Sequence, residues 1–196
     1  MRRQLALTAA LLLWPAASWA AQKLVIISPH WEGIRTEYIR AFEAWHQERY
    51  GEPIAVEFLD MGGTSEIVKF IRSEFSGGRE NATVDVFWGG GTDPYVRLAD
   101  EGLLDPYRVP DALLAQIPPQ VVGMPLYDEQ FRWYGAALAG FGIIYNKRVL
   151  ELVGLPTPET WADLARPEFV TWVGSADPRA SGSVHMMYEI MLQAYG

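Results

Sequence analysis

Short apolar runs alternate along this chain with longer segments in which apolar residues recur every third or fourth position. "KLVIIS" (23–28), "IAVEFL" (54–59) and "VDVFW" (84–88) are brief and rich in β-branched or aromatic residues, the pattern of buried strands. Between them, "GIRTEYIRAFEAWHQERYG" carries Ile34, Tyr38, Phe42 and Trp45 at helical spacing and stops at Gly51. "SEIVKFIRSEF" places Ile67, Ile71 and Phe75 on one helical face. After the third run, "GGG" (89–91) leads to Thr92 or Asp93, either a suitable cap for a helix whose first turn carries Pro94. Proline fits a first turn because the N–H it lacks has no partner inside a helix. Strand and helix alternating in this way predict βαβ units and a parallel sheet covered on both faces, an α/β fold.

The pattern changes after "EGLLDPY". Residues 105–128 are rich in proline and show little periodicity. "WYGAALAGFGIIYN" (133–146) reads as two extended runs, with Gly140 and Gly142 allowing a bend. "KRVLELVG" is a short helix ending at Gly154, and "LPTPETWADLARPEF" holds another that Thr160 can cap. "VTWVG" (170–174) reads as a strand. "SVHMMYEIMLQAYG" is a strongly apolar helix, with Val184, Met187, Tyr188, Met191 and Tyr195 in one wide stripe that needs a core to cover it. Residues 147–196 hold too few elements to close a second layered domain. The expectation is a truncated chain of poor stability, with the 184–195 stripe partly exposed.

The first twenty residues do not fit this scheme. Arg2 and Arg3 precede the apolar "LALTAALLLW", which is too short to span a bilayer, and Ser18 and Ala20 stand where a signal peptidase reads small residues. This is the pattern of a secretory signal peptide cleaved after Ala20, and it predicts an exported, periplasmic protein. Its removal takes away two arginines and no acid, moving the net charge from −8 to −10. So acidic a chain argues against nucleic acid or an anionic membrane as partner. It leaves room for a small anion, because backbone dipoles bind anions without net positive charge. With no cysteine, disulfides, thiolate metal sites and cysteine nucleophiles are excluded.

In open α/β sheets, ligands bind beyond the carboxyl ends of the strands. Here those ends are "SPHWEG", "DMGGTS" and "GGGTD", each leading into a helix, and "DPRASGS" (177–183) is a fourth loop of the same kind. Helix N-termini present unpaired N–H groups and partial positive charge, so their convergence points to a cleft for an anionic or polar ligand. The candidate contacts are His30, Trp31, Gly63, Thr64, Ser65, Gly90, Gly91, Ser181, Gly182 and Ser183. Nucleotide motifs are absent: "GGGTDP" lacks the last glycine of a dinucleotide fingerprint, and no Lys followed by Ser or Thr closes either glycine cluster. His46 and His185 have no metal-ligand spacing and read as a solvated and a packing or capping residue. An exported phosphate-ester hydrolase is the alternative. It would have to assemble His30, Glu32 and Asp177 without a recognised motif.

"VDVFWGGGTDPYVRLADEGLLDPY", "GFGIIYNKRVL", "LPTPETWADLARPEF" and "ADPRASGSVHMMYEIMLQAYG" together resemble the periplasmic solute-binding proteins of ABC transporters. The similarity is to the group that includes ferric-iron-binding proteins and relatives for phosphonates, phosphoglycerate and thiamine. It implies a two-lobe, type II or Venus-flytrap fold that closes around one solute, here with a truncated second lobe. On that plan residues 1–20 are the signal peptide, 21–132 the first α/β lobe without its return segment, 133–146 the hinge strands and 147–196 the start of the second lobe. The resemblance implies a non-enzymatic, monomeric protein with no resident cofactor. It would hand its solute to a permease and ATPase complex in the inner membrane.

In the ferric-binding relatives a histidine after the first strand ligates iron, and His30 stands at that place. The acidic ligand expected after the third strand falls in Gly89–Gly91, and the paired tyrosine ligands belong to a later segment than any here. The anion that accompanies iron sits at a serine–glycine turn, matched by Ser181, Gly182 and Ser183. The expectation is an anionic or polar organic solute, with Fe³⁺ as a weaker candidate cargo at His30.

Overall fold

The computed structural model describes residues 22–196; the expected signal peptide therefore lies outside the described residues. Strand β1 (Gln22–Ile27) is the centre of a three-stranded sheet, flanked by β2 (Ile54–Leu59) and β3 (Val86–Phe87), both parallel to it. Helix α1 (Glu32–Tyr50) joins β1 to β2, and α2 (Thr64–Phe75) joins β2 to β3. Helix α3 (Thr92–Asp100) follows β3. The βαβ reading of the sequence is the architecture observed.

Neighbouring residues of a strand face opposite ways. Both Ile26 and Ile27 are buried, so the sheet is covered on two sides. Ile27 packs with Ile67 and Ile71 of α2 and Leu98 of α3, with Phe75, Phe87 and Leu103 around them. On the other side Tyr38 of α1 meets Phe58 edge-on and lies 4.6 Å from the ring of Trp88. That cover is thin, and Ile34, Tyr38 and Trp45 keep exposed surface.

β3 is shorter than the expected 84–88 because Asp85 takes over part of the ladder. Its carboxylate accepts the N–H of Val25 at 2.7 Å while its own N–H donates to the Val25 carbonyl. Helix α1 ends where expected, at Gly51 with φ 73°. Helix α3 starts without the expected cap: Gly91 is the N-cap residue, and Thr92 and Asp93 already lie inside the helix.

The second half is sparser. Residues 105–134 contain the short helix α4 (Asp111–Leu114) and a small hairpin of β4 (Gln120–Val121) and β5 (Met124–Pro125). Arg132 pins this region to α3, donating to the Asp128 carboxylate and, through Nη1, to the Ala99 carbonyl at 3.0 Å. The expected strands over 133–146 do not form. Tyr134 makes one bridge to Tyr127, Ile144 is fully exposed, and no strand edge among the described residues pairs with the run.

Helix α5 (Lys147–Val153) has Asn146 as its side-chain cap and Gly154, φ 70°, as its stop. Thr160 forms a capping box with Asp163, but the turn it opens is a 3₁₀ helix (Trp161–Ala165). A second 3₁₀ turn spans Pro167–Phe169. The expected strand at 170–174 is replaced by a turn: Trp172 N–H bonds back to the Phe169 carbonyl, and Thr171 sits at φ 74°, outside the strand region. Helix α6 (Gly182–Tyr195) is capped by Ser181, and its Tyr188, Ile190, Leu192 and Tyr195 are exposed.

Candidate functional site

A cavity of about 300 Å³ opens at the carboxyl edge of the sheet. Pro29 and His30 after β1, Gly63 and Thr64 after β2, and Gly90 after β3 form one wall; Ala176, Asp177, Ala180, Ser181, Gly182 and Ser183 form the other. The strands end here because each is followed by a loop whose glycines or capping residues turn the chain into a helix. The N-termini of α2 and α6 lie at the cavity; Gly63, the cap residue of α2, contributes no side-chain acceptor, whereas Ser181 caps α6 by accepting the Val184 N–H.

Close backbone approach makes the cavity narrow. A side chain at Gly63 would overlap the Ala180 carbonyl oxygen. A Cβ at Gly182 would fall 2.9 Å from Thr64 Oγ1, and one at Gly90, where φ is 85°, would meet the same oxygen at 2.9 Å. Thr64, only 4% exposed, is thus held between Gly90 and Gly182. Gly91 faces away, toward the end of Met186 on α6.

His30 is fixed from two sides. Its ring lies 4.3 Å from that of Trp88, and its Nδ1 is 2.8 Å from Ser28 Oγ. Burial holds its pKa below the ordinary histidine value, so the ring is neutral at pH 7. Gly89, φ 102°, lies so close that any Cβ there would overlap the imidazole. Asp177 is on the opposite wall. Arg179 donates to both of its carboxylate oxygens and keeps it ionised, with its pKa below the usual carboxylate range.

Of the residues singled out from sequence, His30, Gly63, Thr64, Gly90, Ser181, Gly182 and Ser183 lie together around the cavity. Trp31, Ser65 and Gly91 are not among its lining. Trp31 is 70% exposed and folds its ring over Gly33. Pro29, Ala176 and Ala180 also line the cavity without being singled out by the sequence, and Ser28 and Gly89 lie against His30. Ser28 could have been suspected, since it ends a strand two residues before a histidine. The contact of Ala180 is made by its backbone, which leaves no mark in sequence. The hydrolytic trio does not assemble as a relay: Glu32 is exposed, Asp177 is engaged by Arg179, and Nδ1 of His30 faces Ser28. His46 and His185 make their bonds elsewhere, to the Glu52 carbonyl and the Glu189 carboxylate. Among the described residues no three of His, Cys, Asp or Glu group as metal ligands, and no helix is long and apolar enough to cross a membrane.

Comparison with known proteins gives this geometry a setting. The chain is similar in structure to the periplasmic binding protein P5PA, with a TM-score of 0.63 and 24% identity over 89% of this chain and 51% of that one. The likeness shows the fold. An uncharacterized protein of Haemophilus influenzae is 26% identical over 151 residues, covering 75% of this chain and 41% of its own length. The phosphoglycerate transport regulatory protein PgtC of Salmonella typhimurium is 33% identical over 60 residues, 31% of this chain and 15% of that protein. The chain therefore spans about half the length of the solved structure and less of these relatives. Residues 81–196 match the family model described as bacterial extracellular solute-binding protein, and the chain belongs to that family.

Proposed function

We propose that the protein is the periplasmic solute-binding component of an ABC importer, and that its solute is a small organic anion of the organophosphate or phosphonate class. The carrying observation is the composition of the cavity. Its walls offer the Thr64, Ser181 and Ser183 hydroxyls, the His30 imidazole and the N-termini of α2 and α6, and the one charged side chain in the lining, Asp177, is paired with Arg179. Hydroxyls and helix N-termini suit an oxyanion, which needs several donors at once. A bare Fe³⁺ needs a set of anionic ligands; beside the neutral His30 the lining holds one carboxylate, Asp177, and Arg179 already engages both of its oxygens. The partial similarity to a phosphoglycerate transport regulatory protein is consistent with this reading.

On this reading residues 21–132 are the first lobe, 133–146 the hinge and 147–196 part of the second lobe, and the signal peptide is cut after Ala20. Solute binds between the walls, contacts both, and stabilises the closed form because only that form offers both sets of donors. A monomer in this state docks on the inner-membrane permease and its ATPase. No catalytic step is required.

The test is a thermal-shift and calorimetric screen with 3-phosphoglycerate, simple phosphonates, ferric citrate, thiamine and a polyamine. Saturable stabilisation by the phosphorylated or phosphonate compounds, with no turnover of phosphate esters, supports the proposal. Stabilisation by ferric citrate or thiamine alone, or ester turnover abolished by His30→Ala, overturns it.

A further inference from the structure

Ser28 directly follows β1, with a side chain that is 0% exposed. Its Oγ lies 3.2 Å from the backbone nitrogen of His30 and 2.8 Å from Nδ1 of the same residue. The backbone N–H can only donate, so Oγ accepts there. The hydroxyl proton, shut off from solvent, also needs a partner. Among the described residues the acceptor within its reach is His30 Nδ1. The serine therefore donates to Nδ1, and the proton of the neutral imidazole is left on Nε2.

We propose that Ser28 is a positioning residue that fixes His30 in its Nε2–H tautomer, so that His30 offers the solute a hydrogen-bond donor and not a lone pair. The proposal rests on the reading of the cavity as the solute site and names what that site selects: a solute whose group at His30 is an unprotonated oxygen acceptor. A metal ion at Nε2 would need the opposite tautomer. The proton would move to Nδ1, and the buried Ser28 hydroxyl would lose its acceptor. Three further features hold the arrangement. Burial favours the neutral ring, Trp88 packs against its face, and the space at Gly89 lets it lie flat against the loop.

The experiment is long-range proton–nitrogen NMR on the full chain with ¹⁵N-labelled histidine at pH 7.5, with His30→Gln identifying the His30 signals among the three histidines. Unliganded protein should show a pyridine-like Nδ1 and a pyrrole-like Nε2, with this tautomer favoured about tenfold. Ser28→Ala should bring the two tautomers close to equal, and Ser28→Thr, which keeps the hydroxyl, should restore the preference. Addition of 3-phosphoglycerate should move the Nε2 proton downfield and leave the tautomer unchanged. An Nδ1–H tautomer in the wild-type chain, or an unchanged ratio in a folded Ser28→Ala chain, overturns the proposal. The wild-type spectrum decides the tautomer even if Ser28→Ala does not fold. It also decides it whether or not 3-phosphoglycerate binds, so failure of the functional reading is a separate result.

Discussion

The hydroxyl of Tyr95 lies 2.9 Å from the carbonyl oxygen of Gly89 and 3.1 Å from that of Phe87, and its ring stacks on Phe87 at 4.5 Å. One buried donor from α3 thus fixes the carbonyls on either side of Trp88, at the point where the chain leaves β3 and enters the glycine loop. Burial pushes the phenol pKa well up, so it stays a donor throughout the working range. Tyr95→Phe keeps the stacking and removes the bond. The expected loss is about 1 kcal/mol of stability, seen as a lower Tm in calorimetry. An unchanged Tm would show that the loop does not depend on this anchor.

Gly89→Ala meets two obstacles. Its φ of 102° is unfavourable for any side chain, and the new Cβ would displace the His30 ring. Backbone strain of about 1 kcal/mol or more is expected in denaturant melts. Affinity for 3-phosphoglycerate should fall by about tenfold beyond what Gly77→Ala, which meets open space, produces. Equal affinities in the two variants would remove His30 from the site.

At Gly63 the obstacle lies across the cavity. A methyl group there would press on the Ala180 carbonyl, which belongs to the opposite wall. Gly63→Ala should hold the walls apart, weakening 3-phosphoglycerate by about tenfold or more. Small-angle scattering should show a less compact chain with solute than the wild type gives. Wild-type affinity and compaction would mean that the two loops need not meet.

Asp128 gives an acid-dependent prediction. Hydrogen bonds from the Arg132 guanidinium, and then backbone N–H groups, lower its carboxyl pKa from 3.8 to about 2. The folded value lies below the unfolded one, so the stabilisation is full above the unfolded pKa and is lost as pH falls through the folded one. Asp128→Asn should cost about 1 kcal/mol at pH 7. The gap from wild type, measured by urea unfolding, should narrow steadily between pH 4 and pH 2. A gap that does not change with pH would mean the Asp128 charge is not what Arg132 holds.

Ser181 tests the second wall. Its Oγ accepts the Val184 N–H at 3.3 Å and caps α6. Ser181→Ala should lower stability by about 1 kcal/mol and weaken 3-phosphoglycerate, whereas Ser181→Asp should keep the cap and repel the anion. Melting curves and titrations of both variants separate capping from binding. Equal binding by the aspartate variant would argue against an anion at this helix start.

Local patterning determined the first half of the chain. β1, β2, α1 and α2 can be read from sequence because strand and helix periods differ, and because the apolar positions Ile27, Ile67 and Ile71 also make the core. The apolar runs at 133–146 and 170–174 form no strands for one reason: a strand needs a neighbouring edge, and apolar composition does not supply one. The cap of α3 went to Gly91 because capping depends on where the backbone turns, not on which side chain could serve.

The site divides in the same way. Sequence placed the loops after β1, β2 and β3 at one rim, because parallel βαβ units leave no other arrangement, whereas the serine loop 177–183 follows no strand and is brought to that rim by tertiary structure. The tertiary structure alone decided which atoms on that rim meet. Gly63 approaches Ala180 through backbone, Thr64 is enclosed by Gly90 and Gly182, and the Ser28 hydroxyl lies 2.8 Å from Nδ1 of His30. These are contacts between segments far apart in the chain, or between side chains whose orientation only packing fixes, and no residue pattern encodes them. Sequence determined that the rim would hold donors; packing decided which of them face a solute.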